Sequence, residues 1–310
     1  MYGRVSALSK VNALLQYRII CRYIRDMKED RMLLWVYSPT VGELVDRIQC
    51  GLSVYHCADE WSAFLENKRL RTAAETMDAR ICKMVDVLFV GSKPMLAKKK
   101  AMNSNTFYVP HAADVRHFAK TSEPETPVAE ELQKIRRPVV GMIGMMDAMR
   151  FDVDMLSYIT ARHPEWSFVF VGKVLHDVDV SRLKAHPNVH FVGMQPIDEL
   201  PRFLKAFDAC IIPYKINDLT SNIYPLKLHE YMASGKPIVC TPIPACLEYE
   251  DVIEIAESKE DFCQRIEKVL DGEEPAKTER RKQIALDNSW EKRIEDKSKI
   301  ILEAWETRVR

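Results

Sequence analysis

The sequence predicts an α/β protein of two domains, each built on a parallel sheet. Three observations lead there. Short apolar runs at residues 32–36, 53–56, 85–90, 138–143, 167–171, 189–192 and 209–212 alternate with longer segments of helical spacing. Several runs stop at a breaker: Gly144, Gly172, Gly193 and Pro213 each follow a strand-like stretch. At 310 residues with 47% apolar content, the chain can bury two cores.

Composition narrows the class. Lysine plus arginine equals aspartate plus glutamate at 45 each, so no overall field points to nucleic acid or to an anionic membrane. Eight cysteines run from Cys21 to Cys263 without a Cys-x-x-Cys pair, which predicts free thiols in a reducing cytoplasm. Basic residues interrupt every apolar run of residues 1–30, so neither a signal-peptide core nor a spanning helix is expected there.

In chain order, residues 10–28 set Leu14, Leu15, Ile19, Ile20, Tyr23 and Ile24 against Arg18, Arg22 and Arg25 at helical spacing. Two readings stay open for this basic amphipathic helix: a helix packed on its own sheet, or one resting on anionic headgroups as a peripheral membrane contact. After the strand at 32–36, a loop through Pro39 leads to a short helix containing Leu44 and Ile48. The strand at 53–56 delivers Asp59 to a carboxyl end, where open α/β sheets bind ligands. Asp59 reads equally as the N-cap of a helix starting near Trp61. A helix over 73–83, a strand over 85–90, a helix capped by Ser92 and a strand over 106–109 complete the first domain. Residues 119–128, rich in Thr, Glu and Pro, read as a linker.

The second domain opens with the strand ending at Gly144, where a missing side chain lets backbone approach a ligand. Two Asp-Val-Asp triplets, 152–154 and 177–179, read as helix-capping and loop features rather than metal ligands, so no metal site is expected. The sequence has no Gly-x-Gly-x-x-Gly, Walker loop, Gly-x-Ser-x-Gly or His-Glu-x-x-His motif, which argues against dehydrogenase, kinase, serine hydrolase and zinc enzyme. The chain is then organised around residues 211–239. A strand stops at Pro213, a polar loop follows, Pro225 opens a helix, and Gly235 ends it in a left-handed cap before the strand at 238–240. The free amides of that helix, at Leu226 to Leu228, form an anion site to which Lys227 adds a charge. Glu230, one turn on, is placed to accept hydrogen bonds from a ribose diol. The alternative is a crossover helix with a solvated Lys–Glu pair. A strand at 253–256, a helix over 261–270 and a terminal helix from Ser289 to the end, with Trp290 and Trp305 as anchors, close the chain.

The segment PLKLHEYMASGKPIV, residues 225–239, closely resembles the donor-binding helix of retaining GT-B glycosyltransferases of the Glu-x7-Glu class, especially bacterial members that make surface polysaccharides. The resemblance implies two Rossmann-like domains facing a cleft: an acceptor-side domain over 1–118, a donor-binding domain over 119–288, and a helix over 289–310 crossing back to the first. It implies transfer of a sugar, with retention and without metal or other cofactor, from a UDP- or GDP-sugar to a saccharide or lipid-linked acceptor. Glu230 matches the second Glu of the signature, and Asn222 stands in the place of the first. An amide there can hydrogen-bond a sugar hydroxyl, but no catalytic carboxylate is carried over. The family's basic residues after the first donor-domain strand have Arg150 as their nearest counterpart. Gly193 opens the loop that holds the nucleobase, and Asp59 occupies the acceptor-side edge. His111 lies in the loop where the family's chain crosses into the second domain, and it reads either as facing the cleft or, more simply, as a surface-loop residue. Lys227 and Asp59 are thus the expected catalytic residues, with Glu230, Leu226, Leu228, Asn222, Arg150, Gly144 and Gly193 on the donor.

The family's first strand and glycine-rich loop would precede Met1, so the acceptor domain is expected to be short. That shortness and Asn222 motivate one alternative, a noncatalytic or truncated subunit that only binds nucleotide. A nucleotide-sugar epimerase on the same fold is a second.

Overall fold

The computed structural model describes residues 7–28 and 31–309, and what was expected of residues 1–6, 29, 30 and 310 lies outside them. The chain divides into two compact units. One holds Met1–His111, Asn222–Tyr224 and Ile294–Arg310, and the other holds Ala112–Ser221 and Pro225–Arg293.

The first unit contains α1 (Ala7–Ile24), β1 (Leu33–Val36), α2 (Gly42–Val45), β2 (Leu52–Cys57), α3 (Lys68–Met84), β3 (Val87–Val90), α4 (Lys93–Lys100) and β4 (Thr106–Tyr108). Its sheet is parallel throughout in the order β1-β2-β3-β4. Side chains alternate across the pleat, so both faces carry a core. Tyr55, Leu88 and Val90 pack with Ile81, Cys82 and Met95. Leu52, Val54, Val87 and Phe89 point the other way and are covered by Ile300, Ile301 and Trp305 of the terminal helix. Of the two tryptophans expected to anchor that helix, only Trp305 does so; Trp290 is 42% exposed.

The second unit contains α5 (Val115–Ala119), β5 (Val139–Ile143), α6 (Val153–Arg162), β6 (Ser167–Val171), α7 (Ser181–Lys184), β7 (Val189–Gly193), α8 (Leu200–Ala206), β8 (Ala209–Ile212), α9 (Leu226–Ser234), β9 (Ile238–Cys240), α10 (Pro244–Leu247), β10 (Glu254–Ile255), α11 (Lys259–Leu270) and α12 (Pro275–Asp287). The last helix, α13 (Trp290–Val309), begins in this unit and ends in the first. The sheet order is β10-β9-β8-β5-β6-β7, all parallel. The chain runs from β5 outward to β7 and then returns to lay β8 on the other side of β5. Loops leaving the carboxyl ends of β5 and β8 therefore diverge, and the gap between them is a topological switch point, where such sheets bind ligands. Val140, Met142, Phe168, Phe170, Ile211 and Val239 form the buried core under α6 and α11.

Three expectations change. The unit boundary falls after His111 rather than after residue 118, because α5 packs on α9. Residues 119–128 are not a free linker: Thr121 is buried, the Ser122 hydroxyl donates to the Ser234 carbonyl at 3.2 Å, and Lys205 donates to the Glu123 carbonyl. Helix α12 was not expected, since only Arg281 and Ala285 are buried on it and no apolar period marks it.

Candidate functional site

Helix α9 is positioned by both its ends and its face. Pro225 is its N-cap residue, and Gly235 at φ +74° closes it in the left-handed conformation that glycine adopts without penalty. Arg281, fully buried and bonded to Glu273, donates to the Gly235 carbonyl at 3.0 Å and holds that end. On the inner face, the Tyr231 hydroxyl accepts from the Ile143 N–H at 2.7 Å and donates to its carbonyl at 3.3 Å. This fixes the helix to the carboxyl end of β5.

The amino end of α9 consequently sits at the switch point. The Leu228 N–H is bonded to the Pro225 carbonyl at 3.1 Å. That removes Leu228 from the expected set of free amides and leaves Leu226 and Lys227, which precede the first intrahelical acceptor. Leu226 itself is exposed.

Lys227 is the unusual residue. Its side chain is 7% exposed, and its Nζ takes no hydrogen-bond partner among the described residues. The ammonium lies 5.1 Å from the ring centroid of the buried Tyr214, which follows β8, and a Cβ built on Gly144, which follows β5, would stand 2.8 Å from it. Gly144 adopts φ +127°, a conformation other residues avoid. The ammonium is thus flanked by the residues leaving the two strands that diverge at the switch point. Gly172, at φ +140°, would drive a Cβ to 2.1 Å from the Gly144 carbonyl oxygen, and its own N–H donates to Gly193 at 2.8 Å. Three strand ends are therefore knitted into one bare backbone floor. A Cβ on Gly193 would meet open space.

Glu230 is half-buried on α9, one turn beyond Lys227. Burial pushes its carboxyl up to about 7, with the Lys227 charge pulling the other way. A carboxyl poised there is half ionised at neutral pH and can accept from hydroxyl donors. Arg150 is turned elsewhere: its Nε bonds Asp147 at 2.6 Å and a second nitrogen pairs with the same carboxylate at 2.5 Å. Arg150, expected as a donor contact, is therefore neutralised by its own loop, and the Asp147-x-x-Arg150 spacing was the sequence signal for it.

The remaining candidates fall in the first unit. Asn222 is grouped there, apart from the loop that precedes it. Asp59 does not cap a helix: Glu60 precedes the short 3-10 turn Trp61–Phe64, and no side chain caps that turn. Asp59 is half-buried after β2, and its charge raises the pKa of the half-buried His111, which burial above all and Lys297 hold below the ordinary histidine value. His56, on β2 itself, is pushed down to about 3 by burial, Lys297 and His111. It is neutral at physiological pH, and its ring lies 5.1 Å from the exposed Tyr37. Tyr214, Tyr231 and His56 were not singled out from the sequence, because each reads as an ordinary core residue until its neighbours are known.

The acidic triplets have structural partners. Asp152 caps α6 by accepting from the Met155 N–H at 2.9 Å, Asp154 pairs with Arg182 at 2.7 Å, and Asp179 accepts from the Ser181 N–H at 2.9 Å.

This arrangement, an unpaired cation and free helix amides at the switch point of a parallel sheet, lies in the stretch that matches a known family. Residues 137–272 match the family Glycosyl transferases group 1. The chain is 28% identical over 279 residues to a protein of Bacillus subtilis (strain 168) named "Putative teichuronic acid biosynthesis glycosyltransferase TuaH"; the match covers 84% of this chain and 69% of TuaH. Among solved structures, the UDP-forming trehalose-phosphate synthase of Burkholderia xenovorans superposes with a TM-score of 0.72 at 11% identity, covering 99% of this chain and 81% of the synthase. HepE of Anabaena, solved with UDP and glucose, superposes at 0.66 with 13% identity, covering 93% and 80%. The fold is GT-B, and the chain is a glycosyltransferase enzyme. Within the matched stretch lie Gly144, Arg150, Gly193, Lys227 and Glu230.

Proposed function

We propose that the chain moves a sugar from a uridine or guanosine diphosphate donor to a saccharide or lipid-linked acceptor, with retention and without a metal ion. The observation that carries this reading is the buried, unpaired ammonium of Lys227 at the amino end of α9. A buried ammonium that makes no hydrogen bond among the described residues and faces a carboxyl that is itself partly protonated is costly, and a diphosphate supplies the further negative charge. The Leu226 and Lys227 amides and the dipole of a nine-residue helix add to the same anion site. Because these donors are fixed before reaction, they stabilise the charge that develops on the leaving diphosphate. Glu230 accepts from the ribose hydroxyls, and the bare backbone from Gly144 to Gly193 lets the donor approach closely.

The donor is more consistent with uridine, since HepE was solved with UDP and the Burkholderia synthase is UDP-forming. The name of TuaH supports a surface polysaccharide as product. The capping and pairing of Asp152, Asp154 and Asp179 favour diphosphate neutralisation by protein groups. Eight free thiols, most of them buried, agree with a reducing cytoplasm. In the first unit, Asp59 orients the acceptor or steadies positive charge on the sugar ring.

The test is a panel of UDP- and GDP-sugars with parent and Asp59→Asn, with and without EDTA, the product anomer read by NMR. Transfer with retention, insensitivity to EDTA and a turnover loss confined to the variant are expected. Activity abolished by EDTA and restored by magnesium or manganese would overturn the metal-free reading. Full transfer by the variant would remove Asp59 from catalysis.

A further inference from the structure

Helix α1 is apolar on two faces, and the first unit covers only one. Ile20 and Ile24, with Met32, Leu34, Ile48 and Cys50, line a cavity of about 280 Å³ against the unit's own body. On another face, Leu15 (52% exposed), Ile19 (60%) and Tyr23 (80%) are spaced four residues apart and form a continuous open row. Scattered exposed apolar residues are ordinary on a protein surface, but a contiguous row on one helix marks an interaction face. Arg18, Arg22 and Arg25 flank the row and are all exposed. From Ala7 to Ile24 the helix has no aspartate or glutamate, in a chain whose acidic and basic residues balance at 45 each.

We propose that this face of α1 docks the protein onto a lipid surface bearing anionic headgroups, the helix lying in the interface plane. The charge pattern selects this occupant. A row of arginines beside an apolar row attracts headgroup phosphates while the apolar side chains enter the acyl boundary. A second copy of the chain, stacked symmetrically on the same face, would bring the arginine rows together and repel. Among the described residues no helix is long and apolar enough to cross a membrane, so α1 would lie on the surface rather than span it.

The experiment is co-sedimentation of the full chain with vesicles of phosphatidylcholine alone or mixed with phosphatidylglycerol, alongside sedimentation velocity without lipid. Parent protein is expected to bind only the anionic vesicles, and less so at high salt. Arg18→Ala/Arg22→Ala/Arg25→Ala should lower partitioning by on the order of 100-fold. Leu15→Ser/Ile19→Ser/Tyr23→Ser should lower it as well and leave a purely salt-sensitive remnant. Nucleotide binding, which uses the second unit, reports whether each variant is folded. Equal binding to neutral and anionic vesicles, unchanged binding by both folded variants, or self-association in the absence of lipid that the serine variant abolishes would each overturn the proposal.

Discussion

Lys99 in the first unit and Lys227 in the second are both buried lysines, and they differ in what faces the ammonium. Lys99 is fully buried and pairs with Asp78, with Glu60 at 4.0 Å. Asp78 in turn accepts from the Tyr55 hydroxyl at 2.9 Å and from the Cys57 thiol at 3.7 Å. That lysine is the centre of a closed network. Lys227 has an aromatic ring, a glycine and a partly protonated Glu230 around it, and no hydrogen bond among the described residues. The two sheets differ in the same way. Four strands in sequence order create no switch point in the described part of the first unit, whereas the β8-β5 reversal creates one in the second, and Lys227 sits there. A satisfied buried charge is architecture, while an unsatisfied one at a switch point is a place for a ligand of opposite sign.

The contrast is sharpest in paired substitutions. Lys99→Met should be the most damaging change, lowering stability by about 3–5 kcal/mol because Asp78 is left buried and uncompensated. Thermal or urea unfolding measures it, and a loss under about 1 kcal/mol would mean that the network is not closed around Lys99. Lys227→Met should do the reverse, leaving stability unchanged or raised while weakening nucleotide-sugar binding by about 1.5–3 kcal/mol, roughly tenfold or more. Calorimetry and unfolding on the same sample separate the two effects, and undiminished affinity would remove Lys227 from the donor site.

Gly144→Ala tests whether the gap beside the ammonium matters. The Nζ is the mobile end of a flexible side chain, so the collision at 2.8 Å is relieved by moving it. The strain at φ +127° is not relieved, and a loss of about 1–3 kcal/mol in stability is expected, together with weaker donor binding. A variant as stable as the parent with intact affinity would show that the floor tolerates a side chain.

The smallest expected effect is the pH response of Glu230. Its folded-state pKa is raised to about 7, so the stability it permits is fully present below the unfolded value and is lost as pH rises toward 7. Glu230→Gln should therefore gain on the parent in melting temperature as pH is raised through that window. Ribose hydroxyls favour the ionised carboxylate, so binding of a nucleotide sugar should release a proton near pH 7. Affinity should rise about twofold between pH 7 and 8.5. Calorimetry in buffers of different ionisation enthalpy measures the release, and proton uptake on binding would contradict this role for Glu230.

Much of the fold was legible in the sequence because its signals are local. Glycine or proline after an apolar run ended β5, β6, β8 and α9, and Asp152 capped α6, each through backbone geometry within a few residues. What failed locally failed for a physical reason. Helix α12 buries an arginine rather than an apolar stripe, and its Lys277 pairs with Glu254, so its pattern looks solvated. Asp59 had the composition of a cap, but the turn after it is 3-10 and uncapped. Arg150 had the charge of a phosphate ligand, but Asp147 lies within reach on the same loop.

The sequence by itself determined two parallel α/β units, the strand–loop–helix–strand order of residues 211–239, and the presence of Lys227 and Glu230 on one helix. Spacing along a chain fixes which residues share an element, and the residue types fix where elements stop. Only the tertiary structure decided that Lys227 is buried without a hydrogen-bond partner among the described residues, that Gly144 from a distant strand makes room for it, that Leu228 is not a free amide, and that Glu230 is pushed up to about 7. Those properties depend on desolvation and on which strand ends meet at the switch point, and both arise from contacts between residues far apart in the chain.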